Sequence, residues 1–235
     1  MSATNPPSTP TNPPAETEPD RVHVSILLDR SGSMASVVDD TIGGFNTFVD
    51  QQKKLPGECR MTLVQFDSQD PHEVVFDAIP PREVMPLTDR TYQPRGGTPL
   101  LDAVGTLIQR LDKRVAVDPG EDQLVAIITD GYENSSGLFS KEEAAGMITL
   151  RGRGDWTFLF LGADIDAFGE AGGIGIDGGR AGGYDRSGDG LRMAFSDVSA
   201  SARALRSMDR AERRTKKERL LADAREEREQ SEEHD

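Results

Sequence analysis

The 235-residue chain is poor in the residues that build covalent or soft-metal frameworks: it has one cysteine and three histidines. A single thiol, Cys59, excludes an intramolecular disulfide framework, and His23, His72 and His234 are too scattered for a Cys/His zinc cage. No run approaches the roughly 18 apolar residues of a membrane-spanning helix. Basic residues are also scarce, with 27 Lys and Arg against 41 acids and a formal charge of −14. That balance argues against coating nucleic acid, which needs a basic stripe, and against adsorption to an anionic leaflet. Residues 1–20 show neither a basic nor an apolar signal region, so a cytoplasmic setting is expected.

What is present divides into three parts. Residues 1–20 carry six of the fourteen prolines among Ser, Thr, Asn and acids, and predict a disordered leader with nothing to bury. From 203 onward there are ten basic and ten acidic residues, and the apolar ones are almost confined to Leu205, Met208, Leu220 and Leu221, which predicts a charged helical or disordered tail. A coiled coil is weighed against by the missing apolar seam. The folded domain lies between these ends and holds −11 of the net charge. A monomer is expected outside complexes.

Within the domain, apolar runs alternate with helical spacing. VHVSILL (22–28), MTLVQF (61–66), LVAIIT (124–129) and WTFLFLG (156–162) read as strands. HEVVFDAI (72–79) returns so soon after its predecessor that it must pair antiparallel. Met34–Val49, Leu101–Leu111, 144–150 and Leu191–Leu205 show helical periodicity. Strands apolar on both faces and separated by helices predict an α/β fold, a doubly wound, Rossmann-like and mainly parallel sheet covered on both sides. The segment 162–190 holds eleven of the 24 glycines, and a short last strand is expected near Ile174–Ile176.

In such sheets ligands sit beyond the carboxyl ends of the strands. The residues that follow the runs are Asp29-Arg30-Ser31-Gly32-Ser33, Asp67-Ser68, Thr129-Asp130-Gly131 and Gly162-Ala163-Asp164, while Gly96-Gly97-Thr98 precedes a helix. Carboxylates and hydroxyls without His or Cys suit a hard cation, Mg²⁺ with Mn²⁺ or Ca²⁺ as alternatives. In Asp29-x-Ser31-x-Ser33, alternate residues of a loop can turn toward one point.

At these residues the chain resembles the von Willebrand factor type A (VWA) domains, whose metal-ion-dependent adhesion site uses a D-x-S-x-S loop, a distant Thr and an Asp after the fourth strand. Asp29, Ser31, Ser33, Thr98 and Asp130 stand at the matching positions. The resemblance covers 21–206, leaving 207–235 as tail. LLDRSGSM, GGFNTFV, RGGTPLLDAV, ITDGYENSS and FLFLGADIDA are similar to an intracellular bacterial and phage subgroup. It implies a six-stranded sheet with 72–79 as an antiparallel edge strand. It implies direct ligation by Ser31, Ser33 and Thr98, with Asp29 and Asp130 direct or through water. It also implies a partner protein whose Asp or Glu fills the open position. The chain lacks the paired cysteines of extracellular adhesins, so adhesion is not carried over.

Plainer readings stand beside these. Asp29, Ser31 and Ser33 also suit a helix N-cap, and Thr98-Pro99 suits a helix start. Asp164 and Asp166 lack the later ligands of a calcium loop and read as a capped helix start. Gly172–Asp177 matches a single calcium nonapeptide and reads as a glycine loop. Cys59 reads as a small core residue, His23 as a satisfied or edge residue of the first strand, and Glu133 and Asn134 as either ligand contacts or turn formers. The alternative function is a Mg²⁺-dependent hydrolase or phosphoryl-transfer enzyme using strand-end carboxylates. Against it, the chain has no P-loop, no G-x-S-x-G elbow and no histidine beside the motif.

Overall fold

The computed structural model describes residues 21–163 and 165–216. The expected leader (1–20), Asp164 and residues 217–235 of the expected tail lie outside the described residues. The strands are β1 (Arg21–Asp29), β2 (Glu58–Phe66), β3 (Glu73–Ile79), β4 (Glu121–Thr129), β5 (Trp156–Ala163) and β6 (Ala181–Tyr184). They form one sheet in the order β3-β2-β1-β4-β5-β6. Every pairing is parallel except β2 with β3, as the short connection between those two requires.

The helices are α1 (Val38–Lys54), α2 (Leu100–Val115), α3 (Lys141–Gly152), α4 (Ala167–Gly173) and α5 (Gly188–Arg206). Alternating residues of β1 explain how they divide. Val22, Val24, Ile26 and Leu28 pack against Phe45, Phe48 and Val49 of α1 and Leu191, Phe195 and Val198 of α5. Leu27 faces the other way, with Val125 and Ile127, onto α2, α3 and α4. Because both faces are covered, every residue of β4 is buried. Phe195 meets Phe45 edge-on with centroids 6.2 Å apart. Gly44 permits this approach, since a Cβ there would lie 2.6 Å from the Phe195 ring.

The last strand falls at Ala181–Tyr184 and not near Ile174–Ile176. Ile174 ends α4, and both isoleucines are buried in the α2–α4 layer, so they are apolar because they plug the core beneath a helix end. Beyond α5, residues 210–216 form a further helical turn. It packs at the amino-terminal ends of β4 and β5, where Arg213 is 7% exposed against Asp122, and Arg210 and Arg214 bind Asp155. Among the described residues no helix is long and apolar enough to cross a membrane.

Candidate cation site at the carboxyl ends of the strands

Asp29 ends β1 and is wholly buried. Its Oδ1 accepts the Ser31 amide at 2.7 Å and its Oδ2 accepts the Thr129 hydroxyl at 2.6 Å. Both donors are neutral, so burial prevails and pushes the carboxyl up to about 6 against these hydrogen bonds. The chain then enters a 3-10 turn (Gly32–Val37) with Ser31 at its N-cap. The Ser31 side chain makes no capping bond, contrary to the helix-cap reading. Its hydroxyl lies 2.9 Å from that of Ser33, which donates to Asp130 Oδ1 at 2.6 Å. Ser31, Ser33 and Asp130 are thus a single hydrogen-bonded chain across β1 and β4.

Thr98 arrives from a distant loop that is stitched over the strand ends. The Arg95 amide donates to the Arg30 carbonyl, the Gly32 amide to Gly96, and the Ser68 amide to Gly97. Gly96 has φ +65, and a Cβ there would lie 2.4 Å from Ser68 Oγ, so only glycine fits this crossing. Thr98 is 2% exposed. A Cβ on Gly131 would fall 2.8 Å from Thr98 Oγ1 and 3.7 Å from Ser33 Oγ, which places both hydroxyls against the same turn after β4.

Several supporting residues carry roles that sequence reading left open or missed. Asn134 Oδ1 accepts the Thr98 amide at 2.9 Å, and the Asn134 amide returns a bond to the Thr98 carbonyl. Glu133 accepts from the amides of Leu101, Ser135 and Ser136, and Ser136 Oγ accepts the Asp102 amide. The free amides at the start of α2 are therefore capped by this loop, while neither Thr98 nor Pro99 supplies a cap. Buried Asp102 accepts three amides of 137–139 and anchors the same loop. The Tyr92 hydroxyl donates to the Asp29 carbonyl at 2.7 Å. The only available signal for these residues was polarity close to the motif.

Asp67, at the end of β2, serves differently. Its carboxylate accepts from Arg30, Arg95 and the amides of Gln69 and Asp70. Burial opposes ionisation, but these bonds outweigh it and hold the group below the usual range. Arg186, between β6 and α5, approaches Asp130, with Nε 3.2 Å from Oδ2 and Nη2 donating to the Asp130 carbonyl at 3.3 Å. Asp166 accepts the Gly169 amide and caps α4 as expected. His23 is buried far from this edge, on Thr62 and Glu121. Cys59 is a buried free thiol, raised to about 11 by burial.

The donor set is all oxygen: two carboxylates and three hydroxyls, with neutral donors on Asp29. That chemistry fits a hard divalent cation, and Asp29, Ser31, Ser33, Thr98 and Asp130 are the residues able to hold one. Among the described residues no cluster of three His, Cys, Asp or Glu offers a carboxylate or thiolate cage instead.

Sequence comparison matches no family model and no curated protein. Comparison of structures matches a von Willebrand factor type A protein from Catenulispora acidiphila, with TM-score 0.53, 18% identity, and coverage of 79% of this chain and 43% of that one. Proximal thread matrix protein 1 of the mussel byssus matches with TM-score 0.52, 18% identity, and coverage of 78% and 46%. The SpRpn10 VWA domain matches with TM-score 0.51, 10% identity, and coverage of 74% and 94%. The chain thus spans less than half the length of the first two. The sheet order, its one antiparallel strand, helices on both faces and these matches together give the chain the von Willebrand factor type A fold.

Proposed function

We propose that this domain is a metal-dependent protein-binding module. Asp29, Ser31, Ser33, Thr98 and Asp130 would hold Mg²⁺, with Mn²⁺ or Ca²⁺ as substitutes, in the manner of a metal-ion-dependent adhesion site. The observation that carries the reading is the meeting of oxygens from three separate segments. Ser31, Ser33 and Asp130 are linked by bonds of 2.9 and 2.6 Å, and Thr98 is pressed against Gly131 beside them. When bound, the cation would supply an electrophilic position for a carboxylate oxygen, which selects a partner presenting Asp or Glu.

The chain's own residues do the rest. Asp29 and Asp130 bring the charge, the three hydroxyls bring uncharged oxygens, and Asn134, Glu133 and Asp102 hold the Thr98 loop in register. An enzymatic reading gains no support among the described residues. His23 lies at the opposite edge of the sheet, and His72 lies in the turn between β2 and β3. Neither is hydrogen-bonded to Asp29 among the described residues.

Affinity capture from native lysate tests the proposal. Wild-type protein with Mg²⁺ should retain a partner that is lost with EDTA and with Asp29→Ala or Thr98→Ala, while circular dichroism stays unchanged. Identical capture in all four conditions overturns it. Phosphatase turnover that needs Mg²⁺ and disappears in Asp29→Asn would replace it with the hydrolase reading.

A further inference from the structure

The described residues that approach the oxygen cluster include one cation of the chain's own. Arg186 is carried by the short segment joining β6 to α5, and its guanidinium contacts Asp130 at both a carboxylate oxygen (3.2 Å) and the main-chain carbonyl (3.3 Å). Its side chain is 31% exposed while the Asp130 side chain is 1% exposed, so the contact joins a part-exposed guanidinium to a buried carboxylate. The two oxygens of Asp130 are thereby divided, Oδ1 to the Ser33 hydroxyl and Oδ2 to Arg186. Asp29 receives neutral donors alone among its hydrogen bonds. Asp67 shows the opposite extreme, with two arginines on it and no place in the cluster. Arg186 therefore stands where a second positive charge would meet the first.

We propose that Arg186 is a further residue of the cation site, a built-in counter-ion that neutralises Asp130 and against which a divalent cation must bind. This rests on the reading of Asp29, Ser31, Ser33, Thr98 and Asp130 as cation ligands. Like charges close together in a poorly solvated pocket repel, so the arginine lowers the affinity of the site for the cation. It also keeps the two carboxylates from facing one another unneutralised when no cation is bound. Metal binding then becomes conditional on cation concentration, because the resting site already has a partner for Asp130.

Mn²⁺ alone is the probe, with free ion measured by electron paramagnetic resonance on the full chain. Arg186→Gln should bind Mn²⁺ about tenfold more tightly than wild type, the factor that corresponds to relieving about 1.4 kcal/mol of charge repulsion. Arg186→Lys, which keeps the charge, should stay near wild type. Arg192→Gln removes an exposed arginine of α5 that pairs with Asp189 on the same helix and with Asp40 on α1, and should leave affinity unchanged. In EDTA, Arg186→Gln should melt below wild type, and saturating Mn²⁺ should close that gap. Unchanged or weaker binding by Arg186→Gln overturns the proposal, as does equal tightening by Arg192→Gln. If neither wild type nor any variant binds Mn²⁺, the cation reading itself fails along with it.

Discussion

At the amino-terminal edge of the sheet, Glu121 is buried against Arg114, which binds it through two nitrogens at 2.6 and 2.9 Å, and against His23. At the carboxyl-terminal edge, Asp29 is equally buried, but the donors on its carboxylate are neutral amide and hydroxyl groups. Burial opposes ionisation at both. At Glu121 the bonds from His23 and Arg114 outweigh it and hold the group well below the usual carboxylate range. At Asp29 burial wins. Asp155 repeats the first pattern, drawn down to about 2 by Arg214 and then Arg210. Asp67 repeats it at the other edge, so position along the strand does not decide the matter. Glu121, Asp155 and Asp67 come with arginines and Asp102 is satisfied by three amides, whereas the hydrogen bonds on the Asp29 carboxylate, buried beside Asp130, come from neutral donors. That difference makes the pair Asp29–Asp130 a candidate for an external cation.

The comparison breaks most sharply if the arginines are taken away. Arg114→Ala leaves Glu121 buried with a poorer set of partners, and should cost about 3 kcal/mol in urea unfolding. A loss under about 1 kcal/mol would mean that Glu121 is held as Asp29 is, by neutral donors. Adding Mg²⁺ probes the other edge. At one hundred times its dissociation constant it should stabilise wild type by about 2.7 kcal/mol in thermal unfolding and leave Thr98→Ala unmoved. Asn134→Ala removes the side-chain oxygen that accepts the Thr98 amide while keeping the main-chain bond back to Thr98, and should weaken Mg²⁺ binding about tenfold by calorimetry with the five candidate ligands intact.

The smallest effect concerns acid. The Asp155 carboxyl in the folded chain lies below its ordinary value of 3.8, so its contribution is complete above that value. It is lost as pH falls toward about 2. Asp155→Asn should therefore flatten the decline of stability across that window, and an unchanged acid limb would remove Asp155 from the explanation.

Much of this arrangement was legible in the chain because it follows from local rules. The apolar runs at 22–28 and 124–129 had to be central strands, and the close return at 72–79 had to be antiparallel. Asp29 and Asp130 follow strand ends directly, so their shared edge needed only the parallel sheet. Thr98 was reachable through the paired glycines before it. The rest depended on partners far away in sequence. Asp102 reads as an ordinary helix residue until its carboxylate meets amides 35 to 37 positions on. Asp67 sits at a strand end like Asp29, and only the folding of Arg30 and Arg95 onto it removes it from the cluster. The expected strand near Ile174–Ile176 failed for the same kind of reason, since apolar spacing cannot separate a strand from residues plugging a helix end.

The sequence by itself determined the α/β alternation, the acidic surplus and the identity of the oxygen-bearing residues at the strand ends, because periodicity and turn chemistry act over a few residues. Tertiary structure decided which acids received arginines, since ion pairing depends on approach within a few ångströms of groups from distant segments. Arg186 illustrates the division. In the sequence it is one of 27 basic residues, and only the packing of β6 beside β5 brings it to Asp130, 56 positions away.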